Sequence, residues 1–145
     1  MDKKKVILVL GASGGIATEL NKFLNKRYLI YLFYFKNKPK HLKNTKSIKL
    51  DLQNYSKIKS TLNQMKIKNK KIIILNLAAV KFDKISYNID SSDLEKTFKI
   101  NTFSFLNFVQ YFLPQMIKEK WGRVINFSST AGSVGEKGTL PYTAS

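Results

Sequence analysis

A short apolar run that ends abruptly on a cluster of glycines constrains this chain more than any other feature. Val6–Leu10 is five consecutive apolar residues, the pattern of a strand buried on both faces of a parallel sheet. Gly11-Ala-Ser-Gly-Gly15 follows. Beyond it, Ile16, Leu20, Phe23 and Leu24 recur at helical spacing and predict an amphipathic helix with these four on its buried stripe. Between a strand and a helix, a glycine loop can carry chemistry. Its glycines permit a tight turn and let backbone N–H groups approach a phosphate, and the helix N-terminus adds partial positive charge. Gly11, Ser13, Gly14, Gly15 and Ile16 are therefore candidate phosphate-binding residues. Ala17 is the small residue expected where helix and strand touch.

The rest of the chain repeats the alternation. Tyr28–Phe35 predicts a second buried strand, Asn37–Lys46 a polar loop short for a full helix, and Ser47–Leu52 a short third strand. Tyr55, Ile58, Leu62 and Met65 mark a second amphipathic helix, and Ile72–Ala79 a fourth strand. Lys81–Ile89 is irregular. Ser92-Asp-Leu-Glu95 has capping-box spacing and is expected to start a long helix reaching about Lys118, kinked or divided near Pro114. Arg123–Ser128 reads as a fifth strand. The alternation predicts an α/β fold with a parallel sheet.

Composition narrows the function classes. At 145 residues the chain is one domain's worth. It has no Cys, which excludes a disulfide framework and thiolate chemistry, and its single His41 stands among Lys residues, so no metal site is expected. The net charge of +17 raises nucleic-acid binding. The lysines are, however, spread along the sequence rather than gathered in a block, which favours a solvated surface and leaves a Lys-rich interaction module as the non-enzymatic alternative. No apolar run reaches the ~20 residues of a membrane span, and the apolar run after Lys3–Lys5 is short for a signal peptide. A cytoplasmic protein is expected.

The motifs resemble those of the short-chain dehydrogenases/reductases. Gly11-Ala-Ser-Gly-Gly15-Ile-Ala17 fits the glycine loop of the single-domain branch and also that of the extended branch of epimerases and dehydratases. Asn76-Leu-Ala-Ala79 resembles the family's Asn-Asn-Ala-Gly at Asn76 and Ala78 and departs from it at Leu77 and Ala79. Leu113-Pro-Gln-Met116 and Gly122-Arg-Val-Ile-Asn-Phe-Ser-Ser-Thr-Ala-Gly132 are similar to the single-domain, 3-oxoacyl-carrier-protein-reductase-like branch, and this longer match outweighs the extended-branch likeness. Ser129 precedes Tyr142 by 13 positions, as in the family's catalytic segment.

The resemblance implies a doubly wound, Rossmann-type parallel sheet of about five strands in the order 3-2-1-4-5, and hydride transfer between a nicotinamide cofactor and a carbonyl or alcohol. Tyr142 would be the general acid/base, Ser129 would hold the substrate oxygen, and Asn101 would hold a proton-relaying water. Strand alternation is expected to turn neighbouring Ser128 the other way. Asp51 and Leu52 would meet the adenine, with Asn76 and Ala78 also on the cofactor. The second strand ends in Lys36 rather than an acidic residue, which favours NADP(H) over NAD(H). Gly14 stands where many NADP-dependent relatives are basic. Subunit pairing through helix 94–118 is also implied. The family's Tyr-x-x-x-Lys lysine would be the residue after Ser145, so residues 1–145 are read as an incomplete domain lacking its C-terminal part. Such a chain is expected to be marginally stable and without turnover, and Lys137 is a poor substitute cation.

Overall fold

A computed structural model describes residues 4–65 and 67–145. Five strands form one parallel sheet: β1 (Lys5–Leu10), β2 (Leu29–Tyr34), β3 (Thr45–Lys49), β4 (Lys71–Asn76) and β5 (Gly122–Asn126). Their order is β3-β2-β1-β4-β5, as expected from the sequence. Val6 to Leu10 pair in register with Leu29 to Phe33 on one side and Ile72 to Asn76 on the other. Central β1 is therefore flanked by strands and covered on both faces, which is why its sequence shows no polar alternation.

One face carries helix α1 (Gly15–Leu24), and the other carries α2 (Tyr55–Met65) and α4 (Ser104–Lys118). Val6, Leu8 and Leu10 pack with Ile58 and Leu62 of α2 and with Phe108, Phe112 and Met116 of α4. Phe108 meets Phe33 edge-on at 4.9 Å between ring centroids. Ile7 and Val9 face the opposite side and pack with Ala17.

Helix α1 corrects the expected stripe. Leu20 and Leu24 do pack on the sheet, but Ala17 and Asn21 complete the buried face. Ile16 and Phe23 are 59% and 69% exposed. Small Ala17 lets the helix axis approach β1 closely, and that approach selects the face one position away from the bulkiest residues. The choice buries Asn21, whose Oδ1 finds no partner among the described residues, at a cost of about 1–3 kcal/mol.

Other boundaries also differ from expectation. Strands β3, β4 and β5 end at Lys49, Asn76 and Asn126, short of Leu52, Ala79 and Ser128. Pairing stops there and the chain turns out to build loops at the sheet's C-terminal edge. The capping box does not form: α3 (Ser91–Phe98) begins after Asp90, with no side-chain cap. Helix α4 continues through Pro114 to Lys118, and the irregularity lies instead in a π-helical turn, Lys99–Phe103, between α3 and α4. Two short helices, α5 (Ala131–Val134) and α6 (Leu140–Ala144), close the chain.

Candidate active site

Two cavities open at the C-terminal edge of the sheet, where ligands bind in open α/β folds. The larger, about 420 Å³, is bordered by Gly11, Ser13 and Gly14 of the glycine loop, by Lys36 after β2, by Asp51 and Leu52 after β3, and by Ala78 after β4. Seven of the candidate cofactor residues are thus brought to one cleft. Gly15, Ile16 and Asn76 are not on its wall. Gly15 opens α1, and the backbone N–H groups of a helix's first turn have no intrahelical partners, so this end remains suited to an anion.

The two central glycines of the loop differ sharply. Gly11 has φ +76°, and a Cβ there would lie 2.6–2.7 Å from backbone atoms of Leu77 and Ala78. No side chain fits. At Gly14 a Cβ would meet only the Gly11 carbonyl oxygen, at 3.5 Å, an ordinary contact. Ser13 Oγ donates to the Asn37 carbonyl and ties the loop to the end of β2. Asp51 Oδ1 accepts from the Gln53 backbone N–H at 3.0 Å and its amide at 3.3 Å, which fixes the carboxylate at the cleft. This cradle fits the phosphates and adenosine of a dinucleotide.

Asn76 serves the framework. It is buried, its Nδ2 donates to Asn126 Oδ1 at 2.8 Å, and its Oδ1 accepts from the Ala78 N–H at 3.3 Å. It therefore joins β4 to β5 beneath the second cavity.

That second cavity, about 90 Å³, is bordered by Asn101, Ser129 and Tyr142 together, and it shares Ala78 and Ala79 with the larger cleft. Ser128 borders it as well. Alternation predicted otherwise, but β5 has already ended at Asn126, so residues 127–129 follow loop geometry rather than the pleat. Ser129 Oγ accepts from the Ala131 N–H at 3.2 Å, which leaves its own proton available. Asn101 lies in the π-helical turn. Its Oδ1 accepts from the Val80 N–H at 2.8 Å and its Nδ2 donates to the Val80 carbonyl at 3.1 Å. The same amide donates to Ser145 Oγ at 2.8 Å. The widened turn swings Asn101 toward the β4 loop, as π-bulges at functional sites commonly do.

Sequence reasoning missed Lys81. Its Nζ lies 5.9 Å from the Tyr142 ring centroid and pairs with Glu136 at 3.0 Å and Asp83 at 3.5 Å. The Glu136 hydrogen bond, with added attraction from Asp83, holds the ammonium above its ordinary pKa against a smaller desolvation. Lys81 is thus a cation beside Tyr142. Lys96 and Gln53 on the larger cleft were also missed. For Lys96 the available signal was its place on the helix just before Asn101.

The chain matches the short chain dehydrogenase family model over residues 5–145. It belongs to that family of oxidoreductases. Among curated relatives it is 28% identical over 148 residues to a 3-oxoacyl-acyl-carrier-protein reductase of Rickettsia typhi, covering 97% of this chain and 60% of that protein. It is 31% identical over 97 residues to the corresponding reductase of Buchnera aphidicola, covering 66% of this chain and 40% of the relative. Among solved structures, a 4-hydroxyisoleucine dehydrogenase complexed with NADH superposes with a TM-score of 0.86 at 22% identity, over 97% of this chain and 62% of that one. ElxO with NADP bound gives 0.80 at 20% identity, with the same coverage. The chain thus spans about 40–60% of the length of these relatives.

Proposed function

We propose that the protein to which this chain belongs is a nicotinamide-dependent reductase or dehydrogenase of carbonyl and alcohol substrates, favouring NADP(H) over NAD(H). One observation carries the reading. Asn101, Ser129 and Tyr142, far apart in sequence, border one cavity that adjoins the glycine-loop cleft through Ala78 and Ala79. When bound, the nicotinamide would supply or accept the hydride. Tyr142 would give its phenolic proton to the substrate oxygen, or take it back in the oxidative direction. Ser129 would donate a hydrogen bond to the same oxygen as negative charge develops. Asn101 would orient a water for proton relay.

A tyrosine ionises near pH ~10, so this role calls for a neighbouring positive charge. Lys81 is a solvated, carboxylate-paired cation and supplies little of it. The 145-residue chain alone is therefore expected to bind cofactor without turning over. Lys36 at the end of β2 supports the NADP(H) preference, because a 2′-phosphate would meet a cation there instead of an acidic residue. The exposed apolar side chains Leu106, Leu113 and Ile117 support pairing of two copies through residues 94–118.

Titration of the purified chain with NADPH and NADH, followed by nicotinamide fluorescence, tests the reading. Tighter binding of NADPH is expected, with Lys36→Glu reversing the order and no reduction of an activated ketone. Absence of binding to either cofactor would overturn the assignment, and a preference for NADH would overturn the cofactor choice.

A further inference from the structure

Two chemistries meet on the wall of the larger cleft. Leu50, Leu52, Ala78 and Ile100 line it with carbon, and Asp51, Gln53 and Lys96 add polar groups. Leu50 and Ala78 belong to the buried core, while Leu52 and Ile100 pack against it. An apolar slot with a few convergent polar groups suits a flat heteroaromatic ring.

Lys96 has no part in the site as described so far. It lies on α3 and its Nζ stands 5.3 Å from the Phe82 ring centroid, an attraction that steadies the side chain at the cleft. Among the described residues no carboxylate pairs with it. Its neighbours on the helix are engaged elsewhere: Glu95 with Lys99, and Asp90 and Asp93 with Lys84. An ammonium carries three donors and no acceptor, so Lys96 brings unspent donors to the wall.

Asp51 brings the complement. Its Oδ1 takes both hydrogen bonds from Gln53, and neither goes to Oδ2. Asp51 follows β3 and Lys96 rides the helix after β4, with β2 and β1 between those strands. An acceptor and a donor thus enter one cleft from separate elements.

We propose that Lys96 is a cofactor-binding residue that donates to a ring nitrogen of the adenine, while Asp51 accepts from the 6-amino group. The inference rests on the nicotinamide-cofactor reading above and adds a residue that reads the base. Adenine presents an amino donor beside ring-nitrogen acceptors, the complement of a carboxylate and an ammonium. The 2′-phosphate fits Lys36 better than Lys96. Lys36 precedes Asn37, whose carbonyl accepts from Ser13 Oγ and so joins that corner to the glycine loop.

The test titrates the full chain with NADPH, NADH and reduced nicotinamide mononucleotide, followed by nicotinamide fluorescence. Lys96→Met keeps the apolar stem and removes the ammonium. It should weaken NADPH and NADH alike, by about 10-fold, and leave the mononucleotide, which has no adenine, unchanged. Lys96→Arg should restore most of the affinity. Lys118→Met, the same charge loss at the end of α4, should bind like wild type. Lys96 is exposed, so its variants should melt with wild type. Unchanged NADPH affinity in Lys96→Met, a loss confined to NADPH, an equal loss for the mononucleotide, or an equal loss in Lys118→Met would each overturn the proposal and leave the cofactor reading standing. Failure of wild type to bind either dinucleotide would overturn both.

Discussion

Strands β1 and β5 are built from similar apolar residues and live in opposite environments. Leu8, Val9 and Leu10 of β1 are fully buried, whereas Val124 and Ile125 of β5 are each 45% exposed. The first strand has neighbours on both sides and helices on both faces. Among the described residues the last has a neighbour only at β4, which it meets through residues 122–126. The glycine-loop cleft grows from the first environment and the tyrosine cavity from the second. The cleft around Gly11 thus grows from a strand paired on both sides, and the cavity around Tyr142 from a strand at the sheet's edge.

The largest expected effect tests the closed side. Gly11→Ala combines a left-handed backbone with a clash against the Ala78 backbone, and should cost about 3–5 kcal/mol and abolish nucleotide binding. Urea denaturation and NADPH titration would check both. A paired truncation comes next. Leu8→Ala should cost about 3 kcal/mol, while Val124→Ala, half in water already, should cost well under ~1 kcal/mol. Equal values would erase the distinction between the strands.

Asn76→Ala should cost about 2 kcal/mol by opening the Asn126 link and orphaning the Ala78 N–H. Hydrogen exchange should then quicken in β5 more than in β1. The smallest effect is electrostatic. Lys81 and Lys84 are both held above the ordinary lysine pKa, Lys81 chiefly by Glu136 and Lys84 chiefly by Asp93. A raised pKa means the stabilisation is fully present below about 10.5, the unfolded value, and fades as pH rises through the folded value. Amide exchange in residues 136–143 should be protected equally at pH 7 and 9 after correction for intrinsic rates, and lose protection only beyond pH ~10.5. A loss between pH 7 and 9 would remove these lysines from the account.

Where backbone rules suffice, the sequence was readable. The glycine loop, the five-strand order and the meeting of Asn101, Ser129 and Tyr142 all follow from period, turn chemistry and family spacing. It was not readable where tertiary contact chooses among local options. Periodicity marked Ile16 and Phe23, but helix–sheet approach through Ala17 buried Asn21 instead. Alternation turned Ser128 away, but alternation holds only while pairing lasts. Lys81 could not have been singled out at all, since nothing local links it to Tyr142.

The contrast between Gly11 and Gly14 bears on how such a protein can evolve. Gly11 is closed to every substitution that adds a carbon. Gly14, a few ångströms away, has ordinary backbone angles, φ −70° and ψ 159°, and room for a side chain. A single codon change there can bring a basic residue to the mouth of the cleft without disturbing the fold. Drift in cofactor preference within this lineage therefore has an open door at one glycine and a wall at the other.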